Sequence, residues 1–134
     1  MVLTIRDAAL DGKSLYEMAL EFLSEKVSVR QLIRARVYQE VREYNRRTDG
    51  AVFEGLVQPT GTEIVLNGQK QGFRLREPRS LDWEAQVERA LDGFKKNAFF
   101  IIVDEQQVED LDQEFIIGPA TQVSFVKLVP LVGG

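Results

Sequence analysis

The sequence predicts an α+β domain. An alternating apolar–polar segment opens the chain, a capped amphipathic helix follows it, and the last third returns to strand patterning around the continuous apolar run FFIIV. The chain has 134 residues, 44% of them hydrophobic and 28% charged, which suits one globular domain spanning residues 1–134 with a core of its own.

Residues 2–6 (VLTIR) alternate apolar and polar side chains with β-branched members, and Asp11-Gly12 marks a turn after them. The next stretch, SLYEMALEFLSE, fits two patterns. Tyr16, Met18, Leu20 and Phe22 alternate as in a strand, whereas Leu15, Ala19 and Leu23 fit a helical stripe. A separate, well-capped helix follows, so this stretch is assigned as the second arm of a hairpin.

That helix starts at Ser28, with Gln31 three residues on in capping-box spacing. Val29, Leu32, Ile33, Val37, Val41 and Tyr44 recur at three and four residues. Arg30, Arg34, Arg36, Glu40, Arg42 and Glu43 fall mostly on the other side, and the helix ends near Asn45.

Residues 46–98 change character. Asp49-Gly50, Gly55, Pro59, Gly61 and Gly68 punctuate short apolar runs, and Asn67-Gly68 has the chemistry of a two-residue hairpin turn between TEIVL and the segment carrying Phe73 and Leu75. Residues 82–96 place Trp83, Val87, Ala90, Leu91 and Phe94 on one face, a second amphipathic helix that Asn97 can end.

The run at 99–103 is short, apolar and bounded by turn residues, the pattern of a fully buried central strand. A turn at Asp104-Glu105 and a short strand at 106–108 come next. Leu111, Phe115 and Ile116 are expected to pack a crossing. A final strand at 122–129 places Val123, Phe125 and Lys127 on one face and Ser124, Val126 and Leu128 on the other.

Composition narrows the chemistry. The sequence has no cysteine and no histidine, which removes disulfides, thiolate nucleophiles, the commonest metal ligands and the usual acid–base catalyst. Neither an enzyme nor a metal or cofactor site is expected. The net charge of −4 gives no reason to expect nucleic-acid or membrane binding. With no long apolar run, and Asp7 where a signal peptide would be apolar, a cytoplasmic location is expected.

Residues 99–134, FFIIVDEQQVEDLDQEFIIGPATQVSFVKLVPLVGG, carry a buried strand, a short polar turn, a compact crossing, a last strand and an apolar proline-containing tail ending in Gly-Gly. This resembles the C-terminal half of the β-grasp sulfur carriers, the small subunit of molybdopterin synthase and the thiazole-synthesis carrier, and more distantly ubiquitin. Residues 2–45 are similar to that superfamily's first hairpin and helix, with SVRQLI at the helix start. The resemblance implies a β-grasp (ubiquitin-like) mixed sheet with one main helix. Residues 46–98 have no counterpart in the small carriers and stand as an insertion, a hairpin plus a helix. That departure leans towards the ubiquitin-like modifiers of bacterial conjugation pathways, with antiviral conjugation as one setting.

The same resemblance assigns the working end to Gly133 and Gly134, preceded by an extended tail at 129–134. In such proteins an adenylating enzyme of the ubiquitin-activating type uses ATP to activate the terminal carboxylate. A conjugating enzyme then passes it on to a target protein, and a deconjugating peptidase reverses the bond. A sulfur carrier would instead form a thiocarboxylate at the same atom, and a non-conjugated partner-binding or assembly module would leave it inert. Physical chemistry fits the motif: glycine has no Cβ to obstruct a narrow site, and Pro130 biases Val129 towards extended backbone. Leu128, Val129, Pro130, Leu131 and Val132 are the expected docking residues for partner enzymes, or they pack on the sheet.

Other features carry two readings. The arginines at 30, 34, 36, 42, 46 and 47 face nucleic acid or an acidic partner, or are a solvated face interleaved with Glu40, Glu43 and Asp49. Phe53, Leu56, Val57 and Pro59 form a docking site or seat their segment on the domain. Lys13, Lys26, Lys70, Lys95, Lys96 and Lys127 are chain-acceptor sites or solubilising residues, with none singled out.

Overall fold

The computed structural model describes residues 1–47, 52–67 and 70–127. Strands β1 (Val2–Ala8) and β2 (Ser14–Glu21) form an antiparallel hairpin, which settles the ambiguous second segment as a strand. The reason is pairing: Leu20 opposite Leu3 and Met18 opposite Ile5 share the core face. The helical alternative would have buried Leu23, which is fully exposed.

A three-residue strand, β3 (Lys26–Ser28), leads into helix α1 (Val29–Arg46). The capping box forms as expected: the Ser28 hydroxyl accepts from the Gln31 amide at 3.1 Å, and the Ser28 amide donates to Gln31 Oε1 at 2.8 Å. The buried face of α1 is wider than the apolar pattern. It runs Val29, Leu32, Ile33, Arg36, Val37, Glu40, Val41, Tyr44, so Arg36 and Glu40 lie inside and not on the solvent face. Both occupy the next three- and four-residue steps of the stripe, and their charges are neutralised locally.

Beyond α1, strands β4 (Thr62–Asn67) and β5 (Lys70–Leu75) form the expected hairpin. Asn67 pairs with Lys70, so the connecting residues are 68 and 69, one step later than Asn67-Gly68 suggests. Phe73 fixes that register: it is 2% exposed, paired with Ile64 on one side and bridged to Phe53 on the other. Helix α2 (Trp83–Lys95) is capped by Asp82 and buries Gln86, Val87, Ala90, Leu91 and Phe94 against α1 and the sheet. Asn97 ends it at φ 60°. Asn45 locks the approach to α2, its side chain donating to and accepting from the Leu81 backbone at 2.9 Å each.

Strands β6 (Phe99–Val103), β7 (Gln106–Val108), β8 (Glu114–Ile116) and β9 (Val123–Lys127) complete the chain. The main sheet has the order β2-β1-β9-β6-β7, with β9 in the middle, parallel to β1 and antiparallel to β6. Two expectations are corrected. First, β6 has neighbours on both sides but β9 takes the centre, and Phe100 and Ile102 are only half-buried, since α2 packs on the face of β6 that carries Phe99. Second, Ile116 is exposed and Ile117 takes the core position, since β8 pairs with β3 in a small side sheet that turns Ile116 outward.

The β6–β7 turn uses Asp104 and Glu105 at φ 47° and 70°, and its first residue is bolted to the approach to β9: Asp104 Oδ1 accepts from the Gln122 amide at 2.9 Å. Left-handed backbone costs a non-glycine residue about 1–2 kcal/mol, only part of which glycine returns in unfolded-chain entropy. Glu105→Gly, which makes an Asp-Gly turn, is therefore expected to stabilise the domain by about 0.5 kcal/mol. A higher urea midpoint at constant slope is the readout, and an unchanged or lower midpoint counts against a strained turn.

Candidate functional site

Among the described residues, the one place where the core is built from charge lies between α1 and the end of the sheet that carries Lys127. Asp7 follows Leu3 and Ile5 on the inner face of β1, opposite Tyr16 on β2 and beside Phe125 on β9. Arg36, 2% exposed, reaches down from α1 and forms a two-pronged ion pair with Asp7, with Nη2 2.8 Å from Oδ2 and Nη1 bonded to Oδ1. Its Nε donates to Glu40 Oε2 at 3.1 Å, one helical turn along, and its Cζ stacks 4.5 Å from the Phe125 ring centroid.

The second oxygen of Glu40 accepts from the Leu56 amide at 3.2 Å. One residue earlier, the Gly55 carbonyl accepts from Lys127 Nζ at 2.8 Å, and that ammonium lies 5.8 Å from the Phe73 ring centroid. Six elements thus converge on one cluster: β1, β2, α1, the segment at 53–57, β5 and β9. Among the described residues no buried side-chain nitrogen or oxygen lacks a hydrogen-bond partner.

The electrostatics reflect burial and pairing. Burial alone would push the Arg36 pKa down, but Glu40 and Asp7 hold it above its ordinary value, so it stays a cation. Burial raises the Glu40 carboxyl, with Arg36 and the Leu56 amide pulling it back. Lys127 is lowered by burial and by Arg36, against the pull of Asp7, Glu40 and Glu54. The Tyr16 phenol, at the open edge, is raised by burial and by Glu40.

The sequence-designated residues divide in three. Gly133 and Gly134, together with Leu128, Val129, Pro130, Leu131 and Val132, lie outside the described residues, as does the side chain of Lys70. Phe53, Leu56 and Pro59 are buried, with Val57 half-buried, so they seat their segment on the domain. The arginine row splits: Arg36 is internal, Arg30 pairs with Asp112 at 3.3 Å, Arg46 pairs with Glu43 at 3.9 Å, and Arg34 lies over Trp83. Lys13, Lys26, Lys95 and Lys96 are exposed, whereas Lys127 is tied into the cluster.

Sequence reasoning missed the cluster, although its signals were present. Asp7 is in phase with Leu3 and Ile5, and Arg36 and Glu40 are in phase with the apolar stripe of α1. Among the described residues no group of acidic side chains is arranged to hold a metal ion, and no helix is long and apolar enough to cross a membrane. Fold and site together define an α+β protein with a five-stranded mixed sheet and a buried arginine–carboxylate cluster at one end of it. Comparison with protein-family models, curated proteins and solved structures finds no match.

Removing one partner of a buried ion pair strands the others. Arg36→Met is expected to cost about 3–5 kcal/mol by leaving Glu40 and Asp7 uncompensated, and Arg36→Met with Glu40→Leu to cost less than the sum of the two single losses, Asp7 and the Leu56 amide staying without their partners. Chemical denaturation of the two single variants and the double variant checks this. Additive losses would mean the pair is not coupled.

Lys127 has a lower pKa folded than unfolded. Between that lowered value and the ordinary lysine range near about 10.4, the unfolded chain binds the extra proton, so stability contributed through Lys127 rises with pH. The stability of the natural chain relative to Lys127→Met is expected to increase from neutral pH towards pH of about 10. Denaturant titrations of both proteins at a series of pH values test the sign.

Proposed function

We propose that this chain is a β-grasp, ubiquitin-like protein modifier whose reactive atom is the carboxyl carbon of Gly134, exposed as encoded or after processing. One observation supports the proposal above the rest. The first and last strands of the sheet, β1 and β9, lie parallel at its heart, an antiparallel hairpin flanks each side, and α1 crosses one face. That strand order is the one by which the β-grasp fold is recognised.

In this arrangement the described part of β9 ends at Lys127, seven residues before Gly134. The chemistry belongs to partner enzymes. The Gly134 carboxylate attacks the α-phosphate of ATP and releases pyrophosphate, a cysteine thiolate of the activating enzyme displaces AMP, and a target amine displaces the thiolate to give an amide. The absence of histidine and cysteine from this chain is in keeping with a substrate role. Residues 46–98 are an insertion into the β-grasp frame.

The test is mass analysis of N-terminally tagged protein recovered from its native host. An amide between Gly134 and a target lysine supports the proposal. Replacement of one carboxyl oxygen by sulfur would overturn it in favour of a sulfur carrier, and a bare carboxylate in every condition, with ATP and an adenylating partner present, in favour of a binding module. Deleting Gly133 and Gly134 is expected to abolish conjugates while leaving the melting temperature unchanged, because every described core residue precedes them.

A further inference from the structure

Two edges bound the main sheet, and they differ in length. β7 offers three residues and β2 eight, and among the described residues no strand pairs with β2 on its outer side. The hairpin register fixes which backbone groups stand free there. The Phe22 amide donates to the Met1 carbonyl at 2.8 Å and the Met1 nitrogen donates to the Phe22 carbonyl at 2.7 Å, so these two residues form a doubly bonded pair. Bonded and non-bonded pairs alternate along an antiparallel ladder. Leu20 and Met18 therefore turn their N–H and C=O groups to β1, whereas Glu21, Ala19 and Glu17 turn theirs away from the sheet. The side chains of these three are exposed.

Two further observations mark the same edge. Among the described residues, five of the eight exposed large hydrophobic side chains, Met1, Val2, Leu10, Tyr16 and Leu23, belong to the β1–β2 hairpin or its ends. Exposed apolar side chains gathered on one element, unlike those scattered singly, mark an interaction surface. The edge is also acidic. Glu17 and Glu21 flank Ala19 on the face of the sheet away from Leu20 and the core, and neither forms an ion pair with a described cation. Arg6, opposite Glu17 on β1, donates from Nε to Ser124 Oγ at 2.8 Å.

That charge selects the occupant. In the one antiparallel register that would use all three free residues of two copies of this chain, Glu17 of each faces Glu21 of the other, and like charges directly opposed disfavour the pairing. We propose that the free edge of β2 docks an extended, basic segment of a partner protein, which adds a strand to the sheet through the backbone groups of Glu17, Ala19 and Glu21. The same alternation writes the partner's pattern: lysine or arginine opposite Glu17 and Glu21, and apolar residues opposite Met18 and Leu20, on the core side. Backbone bonds supply the affinity, and the alternate side chains supply the choice of partner. This site is independent of Gly134 and of the role proposed above.

The test uses the whole chain, isotope-labelled, and the capped synthetic peptide Ser-Lys-Val-Thr-Val-Lys-Ser. In the free protein the amides of Glu17, Ala19 and Glu21 are expected to exchange with solvent freely while those of Met18 and Leu20 are protected; protection of all five would overturn the free edge. Adding the peptide is expected to shift and protect the three free amides, and a version with both lysines replaced by glutamate to bind about tenfold more weakly. Glu17→Lys combined with Glu21→Lys is expected to reverse that preference, a gain that a misfolded variant would not show. Absence of binding by the lysine peptide, or a preference that survives the charge reversal, would sink the proposal. So would protection of the same three amides on raising the protein concentration alone, which would make a second copy the occupant.

Discussion

Arg36 enters the core on the apolar stripe of α1, and its guanidinium stays charged there only because two carboxylates meet it from different directions. Transfer of an unpaired cation into such a site costs several kcal/mol, so the pairing constrains everything around it. Asp7 must face inward from β1, which fixes the phase of that strand against α1. Glu40 must sit one turn along the helix, and its remaining oxygen must then find a donor, which it finds in the Leu56 amide. Phe125 supplies the floor on which the guanidinium lies. An apolar residue at position 36 would slide more freely; the ion pair admits one register of helix on sheet.

The same cluster explains how residues 46–98 are attached. Their hairpin forms its own two-stranded sheet, without a ladder to the main one. The segment is joined by Phe53 and Leu56 in the core, by the Asn45–Leu81 hydrogen bonds, by the packing of α2 against α1, and by the polar bonds from Glu40 and Lys127. Polar attachments of this kind give orientation more than stability, since each is made at the expense of water bonds.

Much of the fold was legible because its signals are local. The capping box at Ser28, the alternation in β1, the three-four stripe of α2 and the turn chemistry at Asp104-Glu105 each act within a few residues, and each appears in the structure. The illegible parts depended on partners far along the chain. β3 and β8 are three residues each and exist only by pairing with one another, and the register of the β4–β5 hairpin is set by Phe73 against Phe53 in place of the Asn-Gly signal. By charge alone Arg36 and Glu40 belong on the solvent face; by phase they belong on the buried stripe. Position on the stripe decided instead, once Asp7 was available from 29 residues away in sequence.

The charged cluster and the strand order bear on the proposed role through one residue. A strand at the centre of a sheet is held more rigidly than an edge strand, and Lys127, the last described residue of β9, pairs with Phe99 of β6 and is held further by Gly55. For the proposed role, a fixed Lys127 lowers the entropy lost when an enzyme captures the carboxyl end. The bond to Gly55 comes from a lysine whose charge burial disfavours, so it is made at some cost. For the role proposed above, that anchoring means that each partner enzyme would meet the same described end of β9 on an intact core.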